Sequence, residues 1–425
     1  MPYLMPQAGP GWTMRRLVAR ERRGMALPVA IFAIVVIGAL LAGAYFSSTQ
    51  ERKIGRNTLV EQRSFNVAEY GLNYDVSNWD QTRNLESKFP VGTTDKNPRY
   101  VNLIGDTAFV TVTRLTPTNF VVVSSGRANI DQAASQSFRR TSMMVQIAYP
   151  TVSLAGAVVS NGQVKVSGSG AVIGYDHNPG LWSESDDCAA YPTTDLAAIA
   201  VGSKDQLVIK SSDTSYKDPY GQNNPKGAFA PSTAGVIKTT PIATDDKTYI
   251  QYGSENWETL KGNADIKLPA NWSGNPGPVL KTDGSKQCDR SQLTNWGQYD
   301  HTNATTTNPF KDCVNYYPII YVDGDLYING GSGQGILMIN GDLRINGGFE
   351  FNGLVIVRDD LFKSNGNATI NGGIMVGNAK IGEQEDGTNM TGTFTVSYSR
   401  CAIENALRAS AILVPVKQRA WAELY

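Results

Sequence analysis

An apolar run of 22 residues, Met25 to Phe46, follows a basic cluster and a single glycine near the start of the chain. As a helix it is about 33 Å long, which is enough to cross the hydrocarbon core of a bilayer. The arginines that precede it are Arg15, Arg16, Arg20, Arg22 and Arg23. Because basic residues stay on the cytoplasmic side, this arrangement predicts that the chain after Phe46 is exported.

The apolar run permits three interpretations. It can be a secretory signal peptide cleaved at Ala42-Gly43-Ala44, or a simple membrane anchor. The segment after it favours a third, because it remains compatible with a helix and becomes amphipathic up to about Asn78. The apolar positions of this second half are Ile54, Leu59, Phe65, Leu72 and Val76. A helix from Met25 to about Asn78 is about 80 Å long, half of it in lipid.

The N-terminal region resembles the type IV minor pilins of the PilX-like N-terminal family, over about the first 80 residues. The resemblance rests on Arg23-Gly24, the run to Phe46, Gln50-Glu51-Arg52, Gly55, Asn57, Ala68-Glu69 and Gly71. It implies that residues 1–24 are a prepilin leader. It also implies that a prepilin peptidase cuts between Gly24 and Met25, and that the new N-terminus is methylated.

One position departs from most pilins, which carry Glu at the fifth residue of the mature chain. This chain has Val29 there, and the PilX-like group often lacks the Glu too. The resemblance therefore implies a minor subunit at a tip or priming position of a type IV pilus or related secretion pseudopilus. Small residues that allow close packing against neighbouring pilin helices are Ala30, Ala33, Gly38, Ala42 and Gly43.

The resemblance also implies partners and a location. The partners are other pilin subunits, the pilus assembly machinery and the prepilin peptidase. The location is the inner membrane, crossed once, with the head in the periplasm and outside the cell in the assembled pilus. Without its first 24 residues the chain has 33 basic and 37 acidic residues, a net charge of about −4, which argues against a broad nucleic-acid-binding surface.

Three β-rich segments follow the predicted helix. They are Phe109 to Leu115, Asn119 to Ser124, and Phe138 to Ala148. Their partial alternation and the turn residues between them predict an antiparallel meander at about 101–150. We therefore expect a pilin module over residues 25–150, in which the long helix packs on a small antiparallel sheet.

A repeat begins after Pro318. Segments starting at Val322, Ile339, Val357 and Val376 align at offsets of 17, 18 and 19 residues. The Asn-Gly pairs that separate the short strands are Asn329-Gly330, Asn340-Gly341, Asn346-Gly347, Asn352-Gly353, Asn365-Gly366 and Asn371-Gly372. Such pairs are typical of hairpin turns, but the regular spacing favours parallel coils stacked into a β-solenoid, or β-helix.

In that arrangement Leu326, Leu343 and Leu361 share one interior row, and Arg344 points outward. Residues 158–173 have the same character and are predicted to form an early coil. The head is therefore expected over residues 151–400. The fold class predicted for the whole chain is α+β, membrane-anchored, with a pilin helix, an antiparallel sheet and a mainly β head of parallel coils.

Two regions depart from the repeat. Residues 175–316 are polar and predict a long insertion projecting from one edge of the head, with binding loops a common use of such segments. Its tryptophans, Trp182, Trp257, Trp272 and Trp296, either bind a partner or fill small local cores. Residues 401–425 predict a short amphipathic helix and a tail that cover one end of the solenoid.

Four cysteines, Cys188, Cys288, Cys313 and Cys401, lie beyond the apolar run. In an exported region they predict two disulfides, for which three pairings are possible. Loop closure favours Cys288 with Cys313, which leaves Cys188 for Cys401. No Cys-x-x-Cys is present and His177 and His301 are far apart in sequence, so no metal site is predicted from them.

An enzyme is the alternative class, because some parallel solenoids are enzymes that cleave polysaccharides. Such enzymes need clustered carboxylates in one groove. The candidates are Asp323, Asp325, Asp342, Asp359 and Asp360. Their repetition indicates a turn-capping role instead. A Ca²⁺ site at Asp323 and Asp325, or at Glu383, Glu385 and Asp386, is an open alternative without EF-hand spacing.

The sequence thus predicts no catalytic residue, no metal and no cofactor. It predicts a minor pilin-like structural subunit whose head serves assembly or adhesion. The alternatives are a membrane-anchored or secreted β-solenoid adhesin and, with less support, a polysaccharide-acting β-helix enzyme.

Overall fold

The computed structural model describes most of the chain after residue 25. The described ranges are 26–95, 99–103, 105–128, 137–167, 171–180, 182, 188–189, 191–203, 206–210, 237–302, 309–363, 366–381, 394–416 and 421–424.

A single helix, α1 (Ala26–Ser77), opens the described structure and is 52 residues long. Pro28 lies in its first turn, where a missing N–H costs no helical hydrogen bond. Asn78 closes the other end, because both its backbone N–H and its side-chain amide donate to the Tyr74 carbonyl. The predicted continuous helix is confirmed.

The second half of α1 packs on an antiparallel sheet. Its strands are β1 (Arg99–Leu103), β2 (Asp106–Arg114), β3 (Asn119–Arg127), β4 (Phe138–Ala148), β22 (Ile412–Pro415) and β23 (Trp421–Leu424). Buried and half-buried residues alternate along β2, as a strand with one covered face requires. Leu72 of α1 lies in one core with Val110, Phe120 and Val145. The packing of the long helix on an antiparallel sheet, expected from the sequence, is confirmed.

The rest of the described structure is built around a large parallel sheet. Among the described residues its strands are β5 (Gly156–Ser160), β6 (Val164–Ser167), β7 (Ala171–Ile173), β8 (Ala197–Val201), β9 (Leu207–Lys210), β10 (Ile237–Thr239), β13 (Ile266–Leu268), β14 (Trp272–Gly274), β15 (Ile319–Val322), β16 (Leu326–Ile328), β17 (Gly331–Ile339), β18 (Leu343–Ile345), β19 (Phe349–Lys363), β20 (Ala368–Ile381) and β21 (Phe394–Tyr398).

The main path of this sheet runs β10-β8-β5-β20-β19-β17-β15-β13, with all neighbours parallel. The strands β14, β16 and β18 pair beside it in the same order. Parallel pairing aligns equivalent side chains of successive strands. One such row consists of the fully buried residues Ile320, Leu337, Val355, Ile374, Val158 and Ile199.

The predicted leucine row is also present. Leu326 pairs with Leu343, Leu343 pairs with Leu361, and all three are fully buried. The strands of residues 158–173 join the same sheet: β5 lies between β20 and β8, β6 lies between β20 and β9, and β7 pairs with β21. The register inferred from the repeat is therefore correct for these strands.

Two of the Asn-Gly pairs do not form turns, contrary to the sequence prediction. Asn352-Gly353 lies inside β19 and Asn371-Gly372 lies inside β20, and the two pairs stand opposite each other. Gly353 and Gly372 have φ values of 140° and 145°, a backbone that favours glycine. The Asn371 side chain donates to the Asn352 side chain at 3.0 Å. These pairs therefore bend the strands and stack their amides.

The chain enters the parallel sheet in its middle, at β5, and reaches β10 at one end. It then passes to β13 at the opposite end through residues 240–265, here called the crossing segment. This segment contains a 3-10 turn (Pro241–Thr244), α2 (Asp246–Ile250), the hairpin β11 (Gln251–Tyr252) and β12 (Glu255–Asn256), and α3 (Trp257–Gly262). Its Tyr249, Tyr252 and Trp257 are buried in the core of the parallel sheet.

Residues 175–316 thus contribute strands at both ends of the parallel sheet, where the sequence predicted an insertion. Within the described ranges, 3-10 turns also lie at Gln81–Asn84 and Lys311–Cys313. Of the four tryptophans, Trp182, Trp257 and Trp296 are buried, and Trp272 stacks on Trp296 with ring centroids 5.9 Å apart. They fill local cores.

The C-terminal part returns to the antiparallel sheet. After α4 (Arg400–Ala409), the strands β22 and β23 both pair antiparallel with β4. The sequence predicted that this tail would cover one end of a solenoid; it instead extends the sheet that packs on α1. The parallel sheet is therefore inserted between two neighbouring strands, β4 and β22.

Candidate functional site

The first half of α1 exposes a continuous apolar surface. Leu27, Phe32 and Leu40 expose 71%, 69% and 68% of their surface, and none of residues 26–46 is buried. Among the described helices, α1 is the one long and apolar enough to cross a membrane. An apolar surface of this extent is typical of contact with lipid or with another protein. The segment is therefore consistent with a membrane anchor or a signal sequence.

The predicted anchor, Met25 to Phe46, is described from Ala26 onward. The predicted processing pair, Gly24 and Met25, lies outside the described residues. Val29 is inside the helix and 61% exposed.

A solvated stretch of α1 separates the apolar half from the sheet. It runs from Ser47 to Leu59 and is here called the spacer. Its length is about 20 Å. The first buried residue of α1, Val60, follows directly. The spacer therefore fixes the distance between the apolar segment and the antiparallel sheet.

Small residues bring α1 close to the sheet beyond the spacer. A Cβ atom at Gly126 of β3 would lie 2.1 Å from the Ser64 carbonyl oxygen, and one at Gly71 would lie 2.3 Å from the Ala108 Cβ. The Ser64 hydroxyl donates to the carbonyl of Ser137 at 2.8 Å. The backbone of α1 thus lies in direct contact with the sheet, and larger side chains at these glycines would prevent that contact.

A buried ion-pair network holds the end of α1. Arg83 bonds Asp75 of α1 at 2.9 Å and Asp95 at 2.7 Å. Asp75 is fully buried and Arg83 is 7% exposed. Removing one partner of such a network leaves an uncompensated buried charge.

Arg114 anchors the loops beside this network. Its guanidinium is fully buried and donates to the carbonyls of Arg83, Asn84, Phe89 and Pro117. Burial lowers the pKa of Arg114 from its usual value. Because an arginine stays protonated at any physiological pH, it remains a cation held by neutral carbonyl dipoles.

Arg408 of α4 ties the parallel sheet to the same region. It bonds Glu86 at 3.3 Å and Glu404 at 3.3 Å, and its guanidinium lies over the rings of Tyr149 and Tyr191. The Asn84 side chain also donates to the Ala411 carbonyl, next to β22. The end of α1, α4 and the tail therefore form one joint.

Two disulfides brace the molecule beyond this joint. Cys188 bonds Cys401 at the start of α4, and Cys288 bonds Cys313 across 25 residues. This is the pairing that loop closure favoured.

The repeated aspartates occupy structural positions. Asp325 accepts from the backbone N–H of Asp342, and Asp342 accepts from that of Asp360, both at 3.0 Å. Asp323 accepts from the Tyr321 hydroxyl at 2.7 Å. Asp359 is exposed at the surface. Asp325 and Asp342 therefore link successive parallel strands.

The histidines do not come together with a metal-ligating cluster. Within the described ranges, no group of three or more His, Cys, Asp or Glu side chains is placed to hold a metal ion. The His301 ring stacks on Trp182 and bonds Gln334 at 2.9 Å, whereas His177 contacts the Tyr175 carbonyl. The alternative Ca²⁺ ligands Glu383, Glu385 and Asp386 lie outside the described residues.

No protein-family model matches this chain, and no curated protein matches it. One solved structure is similar, the competence-associated pilin ComZ from Thermus thermophilus. The two are 12% identical, the alignment covers 86% of this chain and 96% of that chain, and the TM-score is 0.23. At this identity and score, the similarity establishes neither a shared family nor a shared function.

Proposed function

We propose that this chain is a pilin-like structural subunit of a type IV pilus or of a related secretion pseudopilus. The observation that carries the proposal is the form of α1. One uninterrupted helix is apolar and uncovered in its first half and packs on an antiparallel sheet in its second half. Cleavage of a secretory signal peptide would separate the apolar half of α1 from the half that packs on the sheet. A helix that continues through both halves therefore favours a pilin over a secreted protein.

The subunit is a minor one at a tip or priming position. Val29 supports this, since a residue without a carboxylate cannot pair with the methylated amine of a neighbouring subunit. Residues 1–24 are the leader that the prepilin peptidase removes. The pilin module comprises residues 25–150 together with β22 and β23, which belong to the same sheet. Before assembly the protein crosses the inner membrane once, with its sheets in the periplasm.

The head is a parallel β-solenoid that the pilus displays outside the cell, for assembly or adhesion. Aligned rows of buried residues on paired parallel strands support this architecture. The partners of the protein are other pilin subunits and the assembly machinery. The apolar half of α1 contacts the other pilin subunits.

Fibre incorporation tests the proposal. Pilus or pseudopilus fibres sheared from cells should contain the wild-type chain. Gly24→Trp should leave an uncut precursor in the membrane and remove the chain from the fibres. Ala44→Trp is the matched control, since it would block a signal peptidase at Ala42-Gly43-Ala44 but leaves the prepilin site intact.

A membrane-anchored or secreted solenoid adhesin is the second candidate, favoured by the fact that residues 26–46 also fit a simple anchor or a signal sequence. In that case the chain is absent from fibres, and Gly24→Trp has no effect on its maturation. That pair of results would contradict the pilin proposal.

A further inference from the structure

A half-enclosed cavity of about 330 Å³ lies where the crossing segment passes over the parallel sheet. We call it the crossing pocket. Its floor includes Ile356 and Val357 of β19, and its rim includes Asn161, Asp246, Ile250 and Arg358. The pocket lies on the parallel sheet and includes no residue of α1, so it is present whether or not the chain is a pilus subunit.

A β-bulge shapes the floor of the crossing pocket. Val357 pairs with Val376 and Asp360 pairs with Asn378, so β19 has one more residue than β20 across this interval. A Cβ atom at Gly377, opposite the bulge, would lie 2.6 Å from the Arg358 carbonyl oxygen. Bulges redirect side chains and are frequent beside binding sites. Here Arg358 and Asp359 together stand opposite Gly377, and Arg358 lines the pocket.

Contacts hold the Arg358 guanidinium in place at the rim. It donates to the Asn340 side chain at 2.9 Å and lies 5.5 Å from the centroid of the Trp257 ring. A guanidinium carries five N–H donors, and the bond to Asn340 uses one of them. Arg358 is otherwise exposed, so its other donors are available to a ligand.

Two other lining residues, Asn161 and Asp246, supply an acceptor to the rim. The Asn161 side chain donates to the Asp246 carboxylate at 3.4 Å. The backbone of Asn161 is fixed, because its N–H donates to Val376 and its carbonyl accepts from Gln206 at 2.8 Å. Asp246 stands in the first turn of α2, which the Tyr249 hydroxyl holds through the Ala243 carbonyl at 2.7 Å.

The rim therefore combines a fixed cation, a carboxylate and an amide around one small cavity. A simple anion would be repelled by the carboxylate of Asp246, and a simple cation would be repelled by the guanidinium of Arg358. A hydroxyl group both donates and accepts, so adjacent hydroxyls satisfy both side chains without any net charge. Ile250, which is 38% exposed, offers an apolar contact for C–H groups.

We propose that the crossing pocket binds a neutral saccharide. Ring hydroxyls donate to Asp246 and accept from Arg358 and Asn161, and one ring face lies against Ile250. A cavity of this size is at the lower end for small-molecule sites and accommodates one or two sugar rings.

Saturation-transfer NMR and calorimetry on the full chain in lipid nanodiscs test the proposal. Nanodiscs are required because maltoside detergents carry sugar head groups. The probes are methyl glycosides of glucose, galactose and mannose, together with N-acetylglucosamine. We expect at least one to bind, with a dissociation constant of about 1 mM or tighter, and leucine, a zwitterion, not to bind.

Variants then locate the binding. Asp246→Asn and Arg358→Gln should each weaken affinity by about tenfold or more, the loss expected for one hydrogen bond to a charged group. Asp359→Asn is the matched control, because Asp359 is exposed beside Arg358 and does not line the pocket. It should bind as the wild type does.

If Arg358→Gln fails to fold, Asp246→Asn decides, since Asp246 is exposed and bonds only to Asn161 among the described residues. The proposal is overturned if no probe sugar binds, if leucine binds in place of the sugars, or if Asp246→Asn retains full affinity.

Discussion

Single residues decide how closely α1 approaches its sheet. At Gly126 even one added methyl group would meet backbone atoms of α1, 2.1 Å from the Ser64 oxygen and 2.4 Å from the Ala68 nitrogen. Backbone cannot rotate aside as a side chain can, so α1 itself would have to shift. Overpacking of this kind typically costs about 1–3 kcal/mol.

Gly126→Ala should therefore lower the free energy of unfolding by about 2 kcal/mol or more in thermal melts. Gly55→Ala is the control, because nothing lies within 4 Å of a Cβ placed there. In the middle of an exposed helix it should be neutral or stabilise by up to about 1 kcal/mol. Equal melting of Gly126→Ala and the wild type would rule out the close contact between α1 and β3.

The leucine row gives a second residue-scale prediction. Leu343 is fully buried between Leu326 and Leu361, so Leu343→Ala should cost about 2–5 kcal/mol. Arg344 points outward but bonds Asp342 at 2.9 Å and also contacts the Tyr327 hydroxyl. We expect Arg344→Ala to cost up to about 1 kcal/mol. A larger loss at Arg344 than at Leu343 in chemical denaturation would contradict the register.

Arg114 illustrates what residue-level reasoning finds and what it misses. In β2 it has the same strand parity as Ala108, Val110 and Val112, so alternation alone places it on the buried face. Three of the carbonyls that make this burial possible are 25 to 31 residues away, at Phe89, Asn84 and Arg83. No local pattern predicts them.

At the scale of elements, periodicity predicted α1, the antiparallel strands and the register of the repeat. These features depend on side-chain spacing within one segment. The prediction that the Asn-Gly pairs at 352–353 and 371–372 form turns was wrong. Turn propensity depends on the local sequence alone and contains no information about the neighbouring strand. The amide contact between Asn371 and Asn352 exists only once β19 and β20 are side by side.

A prediction about β22 tests whether the C-terminal strands belong to the antiparallel sheet. Leu413 is half-buried and packs on the core beneath α1, whereas Val414, its neighbour, points to the exposed face. Leu413→Asp buries a carboxylate and should destabilise the protein by about 2 kcal/mol or more. Val414→Asp is the matched control and should cost under about 1 kcal/mol. Similar small effects in thermal melts would mean that the tail is not part of the sheet.

At the scale of the whole molecule, one inserted sheet interrupts another. The parallel sheet lies between β4 and β22, which are paired neighbours although Ala148 and Ile412 are far apart in sequence. The sequence analysis divided the chain into consecutive domains at residues 150 and 400. Such a division does not predict that the chain after residue 411 rejoins the antiparallel sheet. The joint of Arg408 with Glu86, and the bond from Asn84 to Ala411, connect the two sheets at that point.

The disulfide between Cys188 and Cys401 also connects distant parts of the chain, because the two cysteines are 213 residues apart. We expect a thiol titration of the denatured, unreduced protein to detect no free thiol. Reduction should then lower stability by about 2–4 kcal/mol per bridge. Four reactive thiols in protein isolated from its native compartment would contradict export of the head.

The mass of the mature N-terminus tests the central claim most directly. If α1 is a pilin helix, intact-mass and peptide spectrometry of the membrane-extracted protein should show a chain that begins at Met25 with a methylated amine. The loss of residues 1–24 would leave the apolar half of α1 attached to its packed half. A chain that begins at Tyr45 would contradict the account, because a signal peptidase would then have removed the apolar segment.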